Sequence, residues 1–89
     1  MYQVYILKSI NHNYSYIGTT DNIQRRFKDH NDGKSRSTKP WRPFILIHKE
    51  NYQTLSEARK REWFLKCTPQ GGKEKRKIFA MAGVAAQRA

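Results

Sequence analysis

Hydrophobic and polar positions alternate at the start of the chain. In YQVYILK (residues 2–8), Tyr2, Val4 and Ile6 share one face, and Tyr5 and Leu7 share the other. The stretch YSYIGT (14–19) has the same β-branched and aromatic character, with the polar turn INHN between the two. The pair predicts a β-hairpin. The period then lengthens: Ile23, Phe27 and His30 fall on one helical stripe, with Arg26 on its flank. Asp21 is the expected N-cap, with Gln24 at capping-box spacing, and Asp32-Gly33 the expected stop. Pro40 and Pro43 exclude helix and central strand from the basic loop 33–43. FILIHKE (44–50) reads as a third strand. A second helix is expected from a Thr54 cap, with Glu57 at the capping-box position, to about Lys66. Thr68-Pro69 reads as the cap and first residue of a third, shorter helix holding Ile78, Phe79 and Met81. The order β-β-α-β-α-α predicts an α+β fold, a three-stranded antiparallel sheet flanked by helices. One domain over residues 1–80 is expected, with 81–89 a C-terminal tail expected to fray.

Charge narrows the class of partner. In 89 residues, 18 Lys and Arg stand against 7 acids, a formal charge of +11. Such an excess repels itself unless a polyanion neutralises it, and nucleic acid rewards Lys and Arg through counterion release. A membrane surface or an acidic protein partner is the weaker reading, and no lipidation motif, signal peptide or long apolar run is present. A single cysteine, Cys67, excludes an intramolecular disulfide and leads us to expect an intracellular, cytoplasmic protein. His12, His30 and His48 are far apart, and no CxxC or HxxxH pair occurs, which argues against zinc.

Against that background a few residues stand out. Tyr2, Tyr5, Tyr14 and Tyr16 crowd the hairpin; tyrosines suit a small sheet, so each alone reads as structure. Gly18 marks either a strand exit or a close approach. Arg25 and Arg26 lie in the first helix. Arg26 borders the apolar stripe, where its guanidinium has the fork to clamp a phosphate near the tyrosines. His30 follows one turn later, either packed or assisting. Glu62 is the sharpest signal. Leu55, Ala58, Glu62 and Leu65 share one helical face, and an acid there needs a partner: a salt bridge to Arg59 or Arg61, or a metal. Lys34, Arg36, Lys39 and Arg42 surround Trp41, a combination suited to backbone contact with base stacking. GGKEKRK (71–77) is a second basic patch.

Taken together these residues resemble the GIY-YIG nuclease superfamily, in particular its small stand-alone bacterial members. Tyr16-Ile17-Gly18 reproduces the second half of the family motif, and Gln3-Val4-Tyr5 the first half without its glycine. Arg25-Arg26-Phe27-Lys28-Asp29-His30-Asn31, Ser37-Thr38-Lys39 and Ser56-Glu57-Ala58-Arg59-Lys60-Arg61-Glu62 continue the likeness in order and spacing. The resemblance implies a metal-dependent DNA endonuclease hydrolysing phosphodiester bonds, selective for DNA structure rather than sequence, with a role in repair or recombination. Tyr5 and Tyr16 would be the motif tyrosines, one of them orienting or deprotonating water. Arg26 would stabilise the scissile phosphate, and Glu62 would hold one Mg²⁺ or Mn²⁺. His30 would be an auxiliary base, and Gly18 would permit close packing beside the site. An asparagine that some relatives place after the glutamate has no clear counterpart. A tyrosine has an unperturbed pKa of about 10, so Tyr5 or Tyr16 needs positive charge to serve as a base, which Arg26 and the metal are expected to supply. A non-catalytic nucleic-acid-binding module, for DNA or RNA, is the alternative.

Overall fold

The computed structural model describes residues 1–82. Three strands, β1 (Tyr2–Ser9), β2 (Ser15–Thr20) and β3 (Phe44–Tyr52), form an antiparallel sheet in the order β2-β1-β3. The helices are α1 (Ile23–Asn31), α2 (Leu55–Cys67) and α3 (Pro69–Met81). The element order and sheet are those the hydrophobic pattern predicts. Helix α3 runs to Met81, one residue past the expected boundary at 80; the expectation of a frayed tail falls largely on residues 83–89, outside the described residues.

The strand pattern divides the core as read. Val4, Ile6 and Ile17 pack on one face of the sheet against Ala58 and Leu65 of α2 and Ile78 and Phe79 of α3. Tyr5, Leu7 and Phe44 pack on the other with Tyr14, Tyr16, Ile23 and Phe27. Both faces are therefore covered, and the central strand β1 is buried on both sides, with Val4, Tyr5, Ile6 and Leu7 at 1% exposure or less. One register shift interrupts the β1–β3 pairing between Ile6 and Leu7, a bulge that twists the strand locally.

Several local expectations change. Asn22, not Asp21, caps α1: its side chain accepts from the Arg25 N–H at 3.1 Å. Both residues suit the position; the chain leaves β2 at Thr20, whose Oγ1 accepts from the Asn22 N–H at 3.1 Å and so sets the cap one residue later. The loop after α1 contains a 3₁₀ turn, Lys39–Trp41, which accommodates Pro40 in its first positions. Leu55 is 38% exposed rather than on the packing face. The third helix is as long as the second despite Gly71-Gly72. A Cβ at Gly71 would lie 1.8 Å from the Phe64 carbonyl oxygen, so glycine lets α3 start against the end of α2. Thr54 caps α2 as read, with its Oγ1 accepting from the Glu57 N–H at 3.2 Å and donating to Glu57 Oε1 at 2.9 Å. Gly33 takes φ 78° after α1, the left-handed stop expected there.

Candidate active site

Cross-strand register builds the first half of the site. Tyr5 pairs with Gly18, and Leu7 with Tyr16, on the face that α1 covers. A Cβ at position 18 would meet Tyr5 Oη at 2.6 Å and Tyr16 Cε2 at 2.8 Å. Glycine therefore opens the space in which the Tyr5 ring lies, and its place is structural support behind the tyrosines. From α1, His30 enters the same space. Its Nε2 lies 3.0 Å from Tyr5 Oη, and its ring stands 4.9 Å from that of Tyr16.

His30 is fully buried, and so is Thr38, whose Oγ1 lies 2.8 Å from His30 Nδ1. The Thr38 hydroxyl donates to the Ser35 carbonyl at 3.4 Å, leaving an oxygen lone pair for His30 Nδ1–H. Nε2 is then the acceptor, and Tyr5 O–H donates to it. The Ser37-Thr38 segment thus belongs to the site through a buried hydrogen bond that sequence reading treated only as part of a motif. Burial, reinforced by the Arg26 charge, lowers the His30 pKa to about 4. The imidazole is neutral at neutral pH and is linked to Tyr5 through its Nε2.

Burial dominates Tyr5 as well. Desolvation and the neighbouring Tyr16 raise its pKa above the ordinary tyrosine value, while Arg26 pulls it down. The expected lowering of a motif tyrosine's pKa by Arg26 therefore meets a stronger opposing effect at Tyr5, which stays protonated as a donor. Tyr16 is only partly buried, so it is the more accessible of the motif tyrosines. Arg26 loses solvation by burial, yet hydrogen bonding and attraction to Tyr5 and Tyr16 raise its pKa and keep the guanidinium charged beside both rings.

The second half of the site comes round the edge of the sheet. Thr19 points to the opposite face from Gly18, toward α2, and its Oγ1 donates to Glu62 Oε1 at 2.6 Å. Lys66, one turn further along α2, donates to Glu62 Oε2 at 3.0 Å and places its ammonium 5.5 Å from the Tyr16 ring centroid. Glu62 also contributes to the field that Tyr5 feels. The candidate centre therefore wraps edge strand β2, with Tyr5, Tyr16, Arg26 and His30 on one side and Glu62 on the other. The salt bridge expected at Glu62 is made by Lys66 rather than Arg59 or Arg61. Arg61 instead joins Glu50 of β3 at 2.8 Å and Glu74 of α3.

The outlying basic residues are more dispersed. Arg25 faces Asp21 at 3.5 Å and Lys34 faces Asp29 at 3.8 Å. Arg36 and Lys39 are exposed and form no ion pair among the described residues. Arg42 lies over Gly33, where a Cβ would meet its Nη1 at 2.7 Å. Trp41 stacks on Tyr14 at 4.9 Å and meets His12 edge-on at 5.3 Å, so one indole face is already occupied and its exposure is 36%.

Fold and site together define a small basic α+β domain in which a hairpin, one helix arginine and one helix glutamate converge on a sheet edge. Residues 1–76 match the GIY-YIG catalytic domain, and the chain belongs to the GIY-YIG family, a family generally of endonucleases. It is 41% identical over 64 residues to a UPF0213 protein of Staphylococcus haemolyticus, covering 71% of this chain and 77% of that one. A UPF0213 protein of Halobacterium salinarum is 35% identical over 75 residues, with 83% and 96% covered. The match to the UPF0213 protein of Bacillus velezensis, 40% identical over 57 residues and 63% of this chain, spans 58% of the relative's length. The solution structure of the UPF0213 protein BH0048 from Bacillus halodurans is 31% identical, with a TM-score of 0.49 over 83% of this chain and 79% of that one. The relatives' names state no activity. No helix among the described residues is long and apolar enough to cross a membrane.

Proposed function

We propose that the chain is a metal-dependent DNA endonuclease that hydrolyses a phosphodiester, selecting DNA structure over sequence in repair or recombination. The observation that carries this is the meeting of Arg26 and two tyrosines with Glu62 around edge strand β2. Arg26 keeps its charge and has the bidentate fork for a phosphate. Tyr16 is the hydroxyl a water molecule or phosphate reaches, and Tyr5 supports it from behind, donating to neutral His30. The partly covered Trp41 and the exposed Arg36 and Lys39 would contact the DNA beside the site; Arg25, Lys34 and Arg42 would add charge, with acidic neighbours beside the first two and glycine beneath the third.

Glu62 fits a single Mg²⁺ or Mn²⁺. No group of three His, Cys, Asp or Glu residues gathers among the described residues, so no closed protein cage exists there. Mg²⁺ commonly takes only one or two carboxylates and fills its remaining positions with water and substrate phosphates. One carboxylate beside the Thr19 hydroxyl, at the sheet edge, suits that arrangement once Lys66 releases Oε2. When bound, the ion would supply Lewis-acid stabilisation of developing negative charge. Lys66, freed from Glu62, remains beside Tyr16 as a second cation for the phosphate.

A nicking assay on supercoiled plasmid and branched DNA, with Mg²⁺, Mn²⁺ or EDTA, tests the proposal. Metal-dependent cleavage that vanishes in Glu62→Ala is the expected result. Arg26→Ala should lower the cleavage rate by roughly 10²–10³-fold, as removal of a charge-stabilising donor does. Binding with no cleavage on either substrate assigns the chain to the non-catalytic binding modules.

A further inference from the structure

Away from the candidate site, the most exposed aromatic side chain among the described residues lies on the outer side of α2. Trp63 is 61% exposed, and with Leu55, Ser56, Arg59 and Lys60 it lines an open groove of about 540 Å³. Burying Trp63 in the monomer was never available to this helix. At about 100° per residue, Ala58 and Leu65 mark the packing side, and Trp63 lies on the side facing away from it. The order round the helix is informative. Glu62 stands at the margin of the packing face; Leu55, Lys66, Arg59 and then Trp63 follow in turn. The groove is therefore continuous with the Glu62–Lys66 edge of the site.

Its charge selects the occupant. The acids of α2 are engaged, Glu57 with Thr54 and Glu62 with Thr19 and Lys66. Arg59 and Lys60 form no ion pair among the described residues. A second copy would bring an equally cationic face to this one on a chain of charge +11. An aromatic plane set between unpaired cations matches the surface that tracks a single strand, with a base on the ring and phosphates on Lys and Arg.

We infer that Trp63 is a stacking platform for an unpaired base of a DNA strand, with Arg59 and Lys60 holding the adjoining phosphates. The inference rests on the nuclease reading for its substrate and adds to it: the DNA taken by this chain carries a single-stranded segment beside the scissile phosphate. Trp41, already stacked on Tyr14, is a separate surface.

The test uses the full chain carrying Trp41→Phe, in which Trp63 is the sole tryptophan, with its own affinities as reference and EDTA present to prevent cleavage. Oligo-dT should quench Trp63 fluorescence on binding, and a blunt duplex of the same length should quench it much less. Adding Trp63→Ala should weaken oligo-dT binding about tenfold, with Trp63→Phe retaining most of the affinity. Binding of oligo-dT without quenching, or equal losses for single strand and duplex, would overturn the inference while leaving the nuclease reading intact. A self-association abolished by Trp63→Ala in sedimentation would overturn it in favour of a second copy. Quenching without any metal-dependent nicking would support the platform and remove the catalytic reading.

Discussion

Gly18 faces Tyr5 across the hairpin, and the two cannot be considered separately. Tyr5 is held by its bond to His30 and has no space to turn away when a methyl group arrives 2.6 Å from its hydroxyl. Gly18→Ala should cost about 1–3 kcal/mol in chemical denaturation, the usual penalty of overpacking. The buried imidazole gives a second handle. Its pKa of about 6.5 in the unfolded chain falls to about 4 on folding, so between those values the unfolded state binds more protons. Stability conferred by neutral His30 is therefore full above the upper value and is lost as pH falls toward the lower. The fall corresponds to about 3 kcal/mol at most. Urea titrations across this window should show the wild type weakening, with a flatter profile in His30→Gln. Thr38→Val leaves His30 Nδ1–H without its acceptor and should cost about 1–3 kcal/mol, whereas Thr38→Ser should restore most of it. Nitrogen chemical shifts of the His30 ring would report the tautomer directly.

At the scale of elements, Arg61 fastens three of them together. It lies between Glu50 of β3 and Glu74 of α3, while His48 and Tyr52 also donate to Glu50 at 2.8 and 2.7 Å. Burial works to raise the Glu50 pKa, but the bonds from Arg61, His48 and Tyr52 prevail and hold it at about 2. The stability this gives is complete above the ordinary carboxylate pKa and lost as pH falls toward about 2, a window below that of His30. Arg61→Ala should destabilise the fold by on the order of 2 kcal/mol and move its acid unfolding to higher pH. This clamp was not legible in the sequence, because the three residues are distant along the chain and charged residues abound. What was legible was local. Thr54 with Glu57, Thr68 before Pro69, and Gly33 after α1 each carry their structural role in two to four residues. The two faces of β1 followed from alternation alone. The exchange of Asp21 for Asn22, by contrast, depended on where β2 released the chain, and the exposure of Leu55 on its position at the first residue of α2, about 60° round the helix from Ala58. Of the candidate site, Tyr5, Tyr16, Arg26, His30 and Glu62 were singled out by their resemblance to the family motif, and the structure gathers the first four on one side of β2 with Glu62 on the other. Their roles divided only in three dimensions, where depth separates buried Tyr5 and His30 from accessible Tyr16.

For the whole molecule the decisive quantity is a charge of +11 on a chain with a Cα radius of gyration of 12.5 Å. On the proposed function such a surface would bind DNA through released counterions, so log affinity should fall linearly with log salt, by about 0.9 per phosphate neutralised. The cations are not equivalent. Arg36 and Lys39 are exposed and have no acidic partner among the described residues, whereas Arg25 and Lys34 have Asp21 and Asp29 within 4 Å. A residue already neutralised within the protein displaces fewer ions when a phosphate arrives. Arg36→Ala and Lys39→Ala should therefore each flatten the salt slope by about 0.9, and Arg25→Ala and Lys34→Ala by less. Trp63→Ala carries no charge change, so it should lower affinity for a single strand at every salt concentration and leave the slope unaltered. Fluorescence anisotropy of labelled oligo-dT over a salt series measures both effects on one plot: a parallel displacement reports stacking, and a change of gradient reports phosphate contact. Equal flattening by all four cation variants would mean that the Asp pairs dissolve on binding and that the whole basic surface, rather than its unpaired part, grips the DNA.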